Sequence, residues 1–337
     1  MAETVLVSGG TGFLGGWCVV ELLGRGYEVR TTVRDLAREP ELRAAVGSQV
    51  DAAERLTVLA ADLTSDDGWA EAAAGCDYVL HVASPFPPAQ PDDPDELIVP
   101  AREGTLRVLG AALGAGVKRT VVTSSVAAIA GGAKGPGPLA EADWTDLDFP
   151  ELSPYVRSKT IAERAAWKLA GEEGARERLA VVNPGAIVGP LLHRDPSFSL
   201  QTVQRLLDGT PGVPRVGFSF VDVRDVADLH VKAMLASEAG GERYIAVTEF
   251  LWLAEVAVIL RRELGEDAKK VPTRKVPDLL VKVMGRFDPS VRSIVNQLGK
   301  KLAYSSEKAR AELGWSPRPV ADSIADTGRS LVNLGLA

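Results

Sequence analysis

Cysteine and histidine are scarce in this 337-residue sequence, which has two of the first and three of the second. Cys18 and Cys76 have no metal-like spacing, and two thiols cannot make a disulfide framework, so a reducing compartment is expected. His81, His193 and His230 likewise lack the acidic neighbours and spacing of a metal site. There is no apolar run long enough to cross a bilayer, and no charged start followed by an apolar stretch at Met1. Membrane insertion and secretion are therefore not expected, and the expected location is the cytoplasm. Basic side chains are in the minority, 38 Lys and Arg against 45 Asp and Glu, for a net charge of -7. No dense basic run with interleaved aromatics offsets this charge, so nucleic acid is not an expected partner. The G-x-S-x-G elbow of α/β hydrolases is missing, as are internal repeats and low-complexity tracts.

What remains is the composition of a soluble globular protein, 46% hydrophobic and 25% charged. The length suits one large domain or two intimately joined ones. Strands expected at 4–8, 28–33, 55–60, 78–82, 120–123 and 179–182 alternate with helix-length segments. The helical segments are expected near 12–25, 96–115 and 155–169. That rhythm predicts an α/β fold with a doubly wound parallel sheet of Rossmann type. Strands such as Val5-Leu6-Val7 carry unbroken apolar residues because both faces of such a sheet are covered. After Pro184 proline and glycine become dense. A helix is expected over 223–236, a strand over 244–247, a helix over 252–264 and a last helix after Pro319, while 267–301 is mixed and basic and yields no element. The expected organisation is a dinucleotide-binding domain over 1–185, to which the chain returns near 216–236. A smaller C-terminal substrate lobe over 186–337 is interleaved with it.

The strongest local signal is Val7-Ser8-Gly9-Gly10-Thr11-Gly12-Phe13-Leu14-Gly15. Read from Gly10 it is G-x-G-x-x-G; read from Gly9 it is G-x-x-G-x-x-G. It follows a strand and opens a helix, the context in which such glycines give a tight turn and let a pyrophosphate approach bare backbone. The helix N-terminus then offers unpaired N–H groups to the phosphates. The second strand ends in Arg34, with Arg38 four residues later. Guanidiniums there make charge-assisted contacts to a 2′-phosphate. Asp35 beside them is the residue type that binds a 2′-hydroxyl. NADP(H) is thus the favoured cofactor, with NAD(H) the alternative.

Tyr155 and Lys159 are four apart on an expected helix, which puts both on one face. A free tyrosine has a pKa of about 10 and shuttles protons poorly at neutral pH unless a cation stabilises its phenolate. Lys159 is placed to supply that cation and to hold the nicotinamide ribose. Ser124 and Ser125 stand at the end of the fifth strand, where a hydroxyl faces the ligand crevice and can bond a substrate carbonyl. His81 reads as a packed residue. Trp252, Trp315 and Phe220 read as core. Asp92, Asp93, Asp95 and Glu96 read as a solvated loop and an acidic helix start.

Together these residues resemble the extended short-chain dehydrogenase/reductase family, and within it the branch of dihydroflavonol 4-reductase and the aldehyde and ketone reductases. The resemblance covers nearly the whole chain. It includes Thr32-Val33-Arg34-Asp35, Ala61-Asp62-Leu63, His81-Val82-Ala83-Ser84-Pro85-Phe86, Val117 to Ser125 and Phe220 to Ala227. It implies that Ser125 orients the carbonyl, that Tyr155 donates the proton in reduction and that Lys159 tunes it. Gly9, Thr11, Gly12, Phe13, Leu14 and Gly15 would hold the pyrophosphate, and Arg34 and Arg38 the 2′-phosphate. Asp62 and Leu63 would bracket the adenine, and Val82, Ala83 and Ser84 would line the ribose and phosphates. Pro184, Gly185 and Ile187 would face the carboxamide, with Ser199 near the cofactor. One departure is Glu103-Gly104-Thr105, where the family commonly has Asn-Gly-Thr; in a water-linked proton relay, glutamate at 103 changes the charge or removes the link. The expected reaction is NADPH-dependent, reversible reduction of an aldehyde or ketone. A sugar-nucleotide epimerase or dehydratase, a 3β-hydroxysteroid dehydrogenase, and a non-catalytic NADP(H) sensor on the same scaffold are the alternatives. The expected partner is a small carbonyl or alcohol, handled by a monomer or homodimer. Loops at 86–94, 129–144 and 191–218, rich in glycine and proline, are expected to cover an apolar pocket.

Overall fold

In the computed structural model, the described residues are 2–85, 93–132, 137–194, 198–287 and 294–337. Parts of all three expected cover loops therefore lie outside them, as do Phe86 and Asp92. The chain opens with β1 (Thr4–Ser8), α1 (Phe13–Gly24), β2 (Glu28–Val33), α2 (Glu39–Gly47), β3 (Leu56–Ala60), α3 (Trp69–Ala73) and β4 (Tyr78–His81). It continues through α4 (Asp95–Gly114), β5 (Arg119–Thr123), α5 (Ala127–Ala130), α6 (Pro154–Glu172), β6 (Leu179–Pro184) and β7 (Ala186–Val188). Next come α7 (Phe198–Asp208), β8 (Gly217–Asp222), α8 (Val223–Leu235), β9 (Arg243–Ala246), β10 (Glu249–Trp252) and α9 (Leu253–Leu264). The chain ends with α10 (Asp278–Met284), α11 (Glu307–Leu313) and α12 (Val320–Asn333).

These elements fall into two compact units. The first contains residues 1–184, 224–246 and 305–316; the second contains 185–223, 247–304 and 317–337.

The first unit is built on a seven-stranded sheet in the order β3-β2-β1-β4-β5-β6-β9, with every pair parallel. This is the expected doubly wound α/β fold, and the register explains the unbroken apolar runs. Leu6 on β1 packs with Trp69, Ala72, Val108 and Ala112 from α3 and α4. Val5 and Val7, pointing the other way by strand alternation, are also fully buried, so both sheet faces are covered. A second cluster, Leu109, Val122, Ala166, Trp167, Ala170, Leu179 and Val181, ties α4 and α6 to β5 and β6. The strand order reverses at β1: β2 and β3 lie on one side and β4 on the other. In sheets of this kind that reversal opens a crevice at the C-terminal strand ends.

The second unit carries a small sheet in the order β10-β8-β7, antiparallel between β10 and β8 and parallel between β8 and β7. Its core includes Leu200, Val203, Phe220, Val256, Leu260, Ile324 and Leu331. At Gly328 of α12 an added Cβ would lie 2.7 Å from Leu264 Cδ2, so glycine lets α12 lie close against α9. Phe220 is buried in this unit and Trp315 in the first, as expected of core residues. Trp252 is half-buried and stacks edge-on to Phe250 with centroids 5.0 Å apart. Among the described residues no helix is long and apolar enough to cross a membrane, and no group of three or more His, Cys, Asp or Glu could hold a metal ion.

Candidate active site

The glycine turn joins β1 to α1. Gly9 has φ +76°, and a Cβ there would sit 2.9 Å from the Ala83 Cβ, so both conformation and space demand glycine. At Gly15 a Cβ would come within 2.1 Å of the Gly9 carbonyl oxygen, which fixes how tightly α1 folds back on the turn. Gly12 is exposed and caps α1 without any side-chain hydrogen bond. The first N–H groups of α1 are therefore not covered by a capping side chain. A bare, glycine-lined helix start beside the reversal of strand order fits a dinucleotide pyrophosphate.

Ser8 links this turn to the end of β4. Its hydroxyl accepts the N–H groups of Val82 and Ala83, each at 3.0 Å, and lies 2.9 Å from His81 Nδ1. With both lone pairs engaged, the hydroxyl proton has only the imidazole left to bond, so His81 Nδ1 accepts and its proton sits on Nε2. Burial pushes the His81 pKa down to about 3, with the Lys159 charge acting in the same direction. His81 is thus a neutral, packed residue, in line with its reading from sequence. The Ser8 hydroxyl fixes the path of Val82 and Ala83.

At the C-terminal ends of β2 and β3, Asp35 Oδ1 accepts the Ala37 N–H at 2.9 Å. That carboxylate caps the turn after β2. Arg34 is exposed, and its charge helps hold the Asp62 carboxyl below the ordinary carboxylate range, behind the larger effect of hydrogen bonds from Thr64. Arg38 is ion-paired to Glu41 at 3.1 Å. Leu63 packs on Gly104, where a Cβ would lie 2.8 Å from the Leu63 Cβ; this contact accounts for the glycine of Glu103-Gly104-Thr105. Glu103 itself is paired with Arg102 at 2.6 Å. The neighbouring small cavity is lined instead by Thr105, with His81, Ser84, Lys159 and Glu163 among its polar groups and Val122 and Ala162 among its apolar ones.

α6 delivers the tyrosine and the lysine. Ser153 caps it by accepting the Val156 N–H at 3.3 Å, and Pro154 supplies a preset first residue. Tyr155 is on the first turn. Burial raises its pKa, and a hydrogen bond from Ser125 acts against that rise. The hydroxyl and the phenol predicted to work together are therefore in contact. The balance differs from the expected one, however: Tyr155 lies above its ordinary value rather than below it. Lys159, one turn on, donates to Ser84 Oγ at 3.0 Å. Burial lowers its pKa to about 8, opposed by the charge of Glu163.

Ser125 is held from behind. Ser124 N–H donates to Val182 O at 2.8 Å and Val126 N–H to Pro184 O at 3.0 Å, so the β5 corner is laced to β6. Asn183 Nδ2 donates to Ser125 O at 3.2 Å. Thr123 Oγ1 lies 2.7 Å from His230 Nε2, while His230 Nδ1 lies 2.8 Å from Val226 O. A carbonyl only accepts, so His230 carries its proton on Nδ1 and accepts from Thr123. Burial depresses its pKa to about 4.

Of the predicted site residues, Gly9 to Gly15, Arg34, Arg38, Asp62, Leu63, Val82 to Ser84, Ser125, Tyr155, Lys159 and Pro184 belong to the first unit. Gly185, Ile187 and Ser199 belong to the second: Gly185 beside Ser219, Ile187 on β7, Ser199 on the first turn of α7. Sequence reasoning missed Glu163 and Arg243, which form a buried pair with N–O distance 2.6 Å.

Comparison with known proteins extends this picture. Residues 5–246 match the NAD dependent epimerase/dehydratase family. A cinnamoyl-CoA reductase of Medicago truncatula is 34% identical over 320 residues, covering 89% of this chain and 97% of that protein. An anthocyanidin reductase of Vitis vinifera is 33% identical over 343 residues, covering 96% of this chain and 93% of that protein. Among solved structures, the yeast methylglyoxal/isovaleraldehyde reductase in complex with NADPH superposes with a TM-score of 0.82 at 25% identity, covering 99% of this chain and 100% of that one.

Proposed function

The chain belongs to the NAD dependent epimerase/dehydratase family, and from that premise we propose that it is an NADPH-dependent reductase converting an aldehyde or ketone to the alcohol, reversibly. The resemblance to the extended short-chain reductases holds through the relatives named above. Their reductase names favour this reading over an epimerase, and a protein that merely senses NADP(H) has no need of the catalytic trio. The observation that carries the proposal is the contact of Ser125 with Tyr155, with Lys159 one helical turn away, at the strand ends beside the glycine cradle.

NADPH, when bound, supplies the hydride to the carbonyl carbon. The glycine turn from Gly9 to Gly15 would hold its pyrophosphate, and Arg34, backed by Arg38, its 2′-phosphate. Asp62 and Leu63 would flank the adenine, and Val82 to Ser84 the ribose. Pro184, at the end of β6, would contribute toward the nicotinamide. Ser125 orients the carbonyl oxygen, and Tyr155 gives that oxygen its phenolic proton, so the C=O bond becomes C–O–H. A tyrosine whose pKa is raised by burial keeps its proton until the oxygen gains charge. Lys159, still a cation at neutral pH with a pKa of about 8, stabilises the phenolate left behind.

The test is a carbonyl panel of aliphatic and aryl aldehydes, ketones and an aryl acyl-CoA thioester, with NADPH or NADH, followed at the nicotinamide absorbance. Tyr155→Phe should cut turnover by roughly 10²- to 10⁴-fold, the usual worth of general acid catalysis, and leave NADPH binding intact. Undiminished turnover in that variant would remove the mechanism.

A further inference from the structure

Four residues after Lys159, on the same face of α6, stands a carboxylate that the mechanism above does not use. Glu163 is fully buried. Its Oε2 accepts the Ser124 hydroxyl at 2.5 Å and the Asn183 amide at 2.8 Å. Its Oε1 accepts Arg243 Nε at 2.6 Å and Trp167 Nε1 at 3.3 Å. The Asn, Arg and Trp partners can only donate through these nitrogens, so the hydrogen bonding fits the deprotonated acid. Arg243 is held in turn by the carbonyls of Glu141 at 2.6 Å and Asp143 at 2.8 Å, with its guanidinium 3.8 Å from the centroid of the Trp144 ring. Replacing such a pair by apolar residues is often neutral for stability. Stability alone therefore does not account for its place beside the reacting groups.

Two further observations say what it does. Through Asn183, which bonds both Glu163 and Ser125 O, and through Ser124, the carboxylate holds both residues of the β5 corner. It also lines the small cavity shared with Lys159. We propose that Glu163 is a positioning residue: one buried carboxylate both clamps the Ser124–Ser125 corner and supplies the negative charge facing the Lys159 ammonium. Hydroxyl and cation are thereby set by a single group.

The other groups around Lys159 do not supply that charge. On β4 the facing group is His81, kept neutral by burial. α4 presents Thr105, β5 presents Thr123 with Ser124 just beyond its end, and Ser84 accepts the ammonium hydrogen bond. On α6 itself Tyr155 keeps its proton at neutral pH. Behind Thr123 on α8 is His230, neutral with its proton on Nδ1. Arg243 on β9 acts on Lys159 through Glu163, as a counter-charge that weakens its field.

The inference rests on the assignment of Ser125 and Lys159 above, and its test separates the two. In cofactor-free protein carrying isotope-labelled lysine, the Lys159 signal, identified by its loss in Lys159→Met, is titrated by NMR. Glu163→Gln should lower the midpoint by about 1 pH unit, the low end for loss of a nearby opposite charge. Glu163→Asp should restore it toward the starting value. Arg243→Met, which disturbs the same network but frees the carboxylate's field, should not lower it. If Glu163→Gln does not fold, the Glu163→Gln/Arg243→Met double variant removes both buried charges together, and its midpoint should also fall. A midpoint that stays put when Glu163 is neutralised, or falls equally with Arg243→Met alone, overturns the proposal. In reduction assays the alkaline limb of kcat should move to lower pH together with the midpoint. A midpoint that moves while the limb does not would leave the charge assignment standing and count against Lys159 as part of the mechanism.

Discussion

Two histidines show how single residues here are set by hydrogen-bond accounting. His81 accepts from Ser8 and His230 donates to Val226 O, and both are neutral because burial penalises the cation. Their folded pKa values, about 3 and about 4, lie below the 6.5 of the unfolded chain. The unfolded state therefore takes up protons first, and stability is lost as pH falls from about 6.5 toward 4. His230 alone should account for on the order of 3 kcal/mol of that loss. Denaturation midpoints at pH 7 and pH 4.5 should converge in His230→Gln relative to the parent; an equal acid loss in both would acquit His230. At this scale Tyr155, Lys159 and Ser125 were legible, because helical spacing and a strand end suffice to bring them together. The sign of the tyrosine shift was not, since burial depends on everything packed around the ring. Glu163 was hidden for a different reason. A glutamate four residues after a lysine looks like an ordinary surface helix pair, and the arginine that accompanies it underground lies 80 residues later.

Among the elements, the central strands β1 and β6 were plain in the sequence because burial on both faces writes them as nearly continuous apolar runs. β7, β8, β10 and α7 were not, although they make up much of the second unit. β8 begins at Gly217 and alternates in character, and α7 lies among Pro190, Pro196, Pro211 and Pro214. α10 left no inward stripe to read: Leu279 is 75% and Leu280 51% exposed. The junction of β1 and α1 is the most demanding of these pieces. Gly15→Ala drives a Cβ into the Gly9 carbonyl. It should cost about 1–3 kcal/mol, as overpacking does, and abolish NADPH binding by calorimetry. Gly24→Ala, at the exposed end of the same helix with nothing within 4 Å, should instead be neutral or stabilise by up to about 1 kcal/mol. Equal binding in the two variants would mean that the tight turn is not what holds the cofactor.

For the molecule as a whole, the chain passes between its two units at 184/185, 223/224, 246/247, 304/305 and 316/317. A ligand held only by the folded protein should raise the stability of the whole, by about 2.7 kcal/mol at a hundredfold excess over Kd. Thermal denaturation should thus rise by several degrees with NADPH and by less with NADH at equal concentration. Arg34→Ala should erase that difference, and a persistent NADPH advantage would move the 2′-phosphate contact elsewhere. The cap on the turn after β2 governs how far such a change can go. Asp35 holds the Ala37 N–H through Oδ1, which leaves Oδ2 to accept from a ribose hydroxyl once the arginine is gone. Anyone re-engineering this enzyme for the cheaper coenzyme should therefore change Arg34 and keep Asp35, the acid already standing just past the end of β2. Losing Asp35 as well would remove both the cap of the loop and the acceptor beside it.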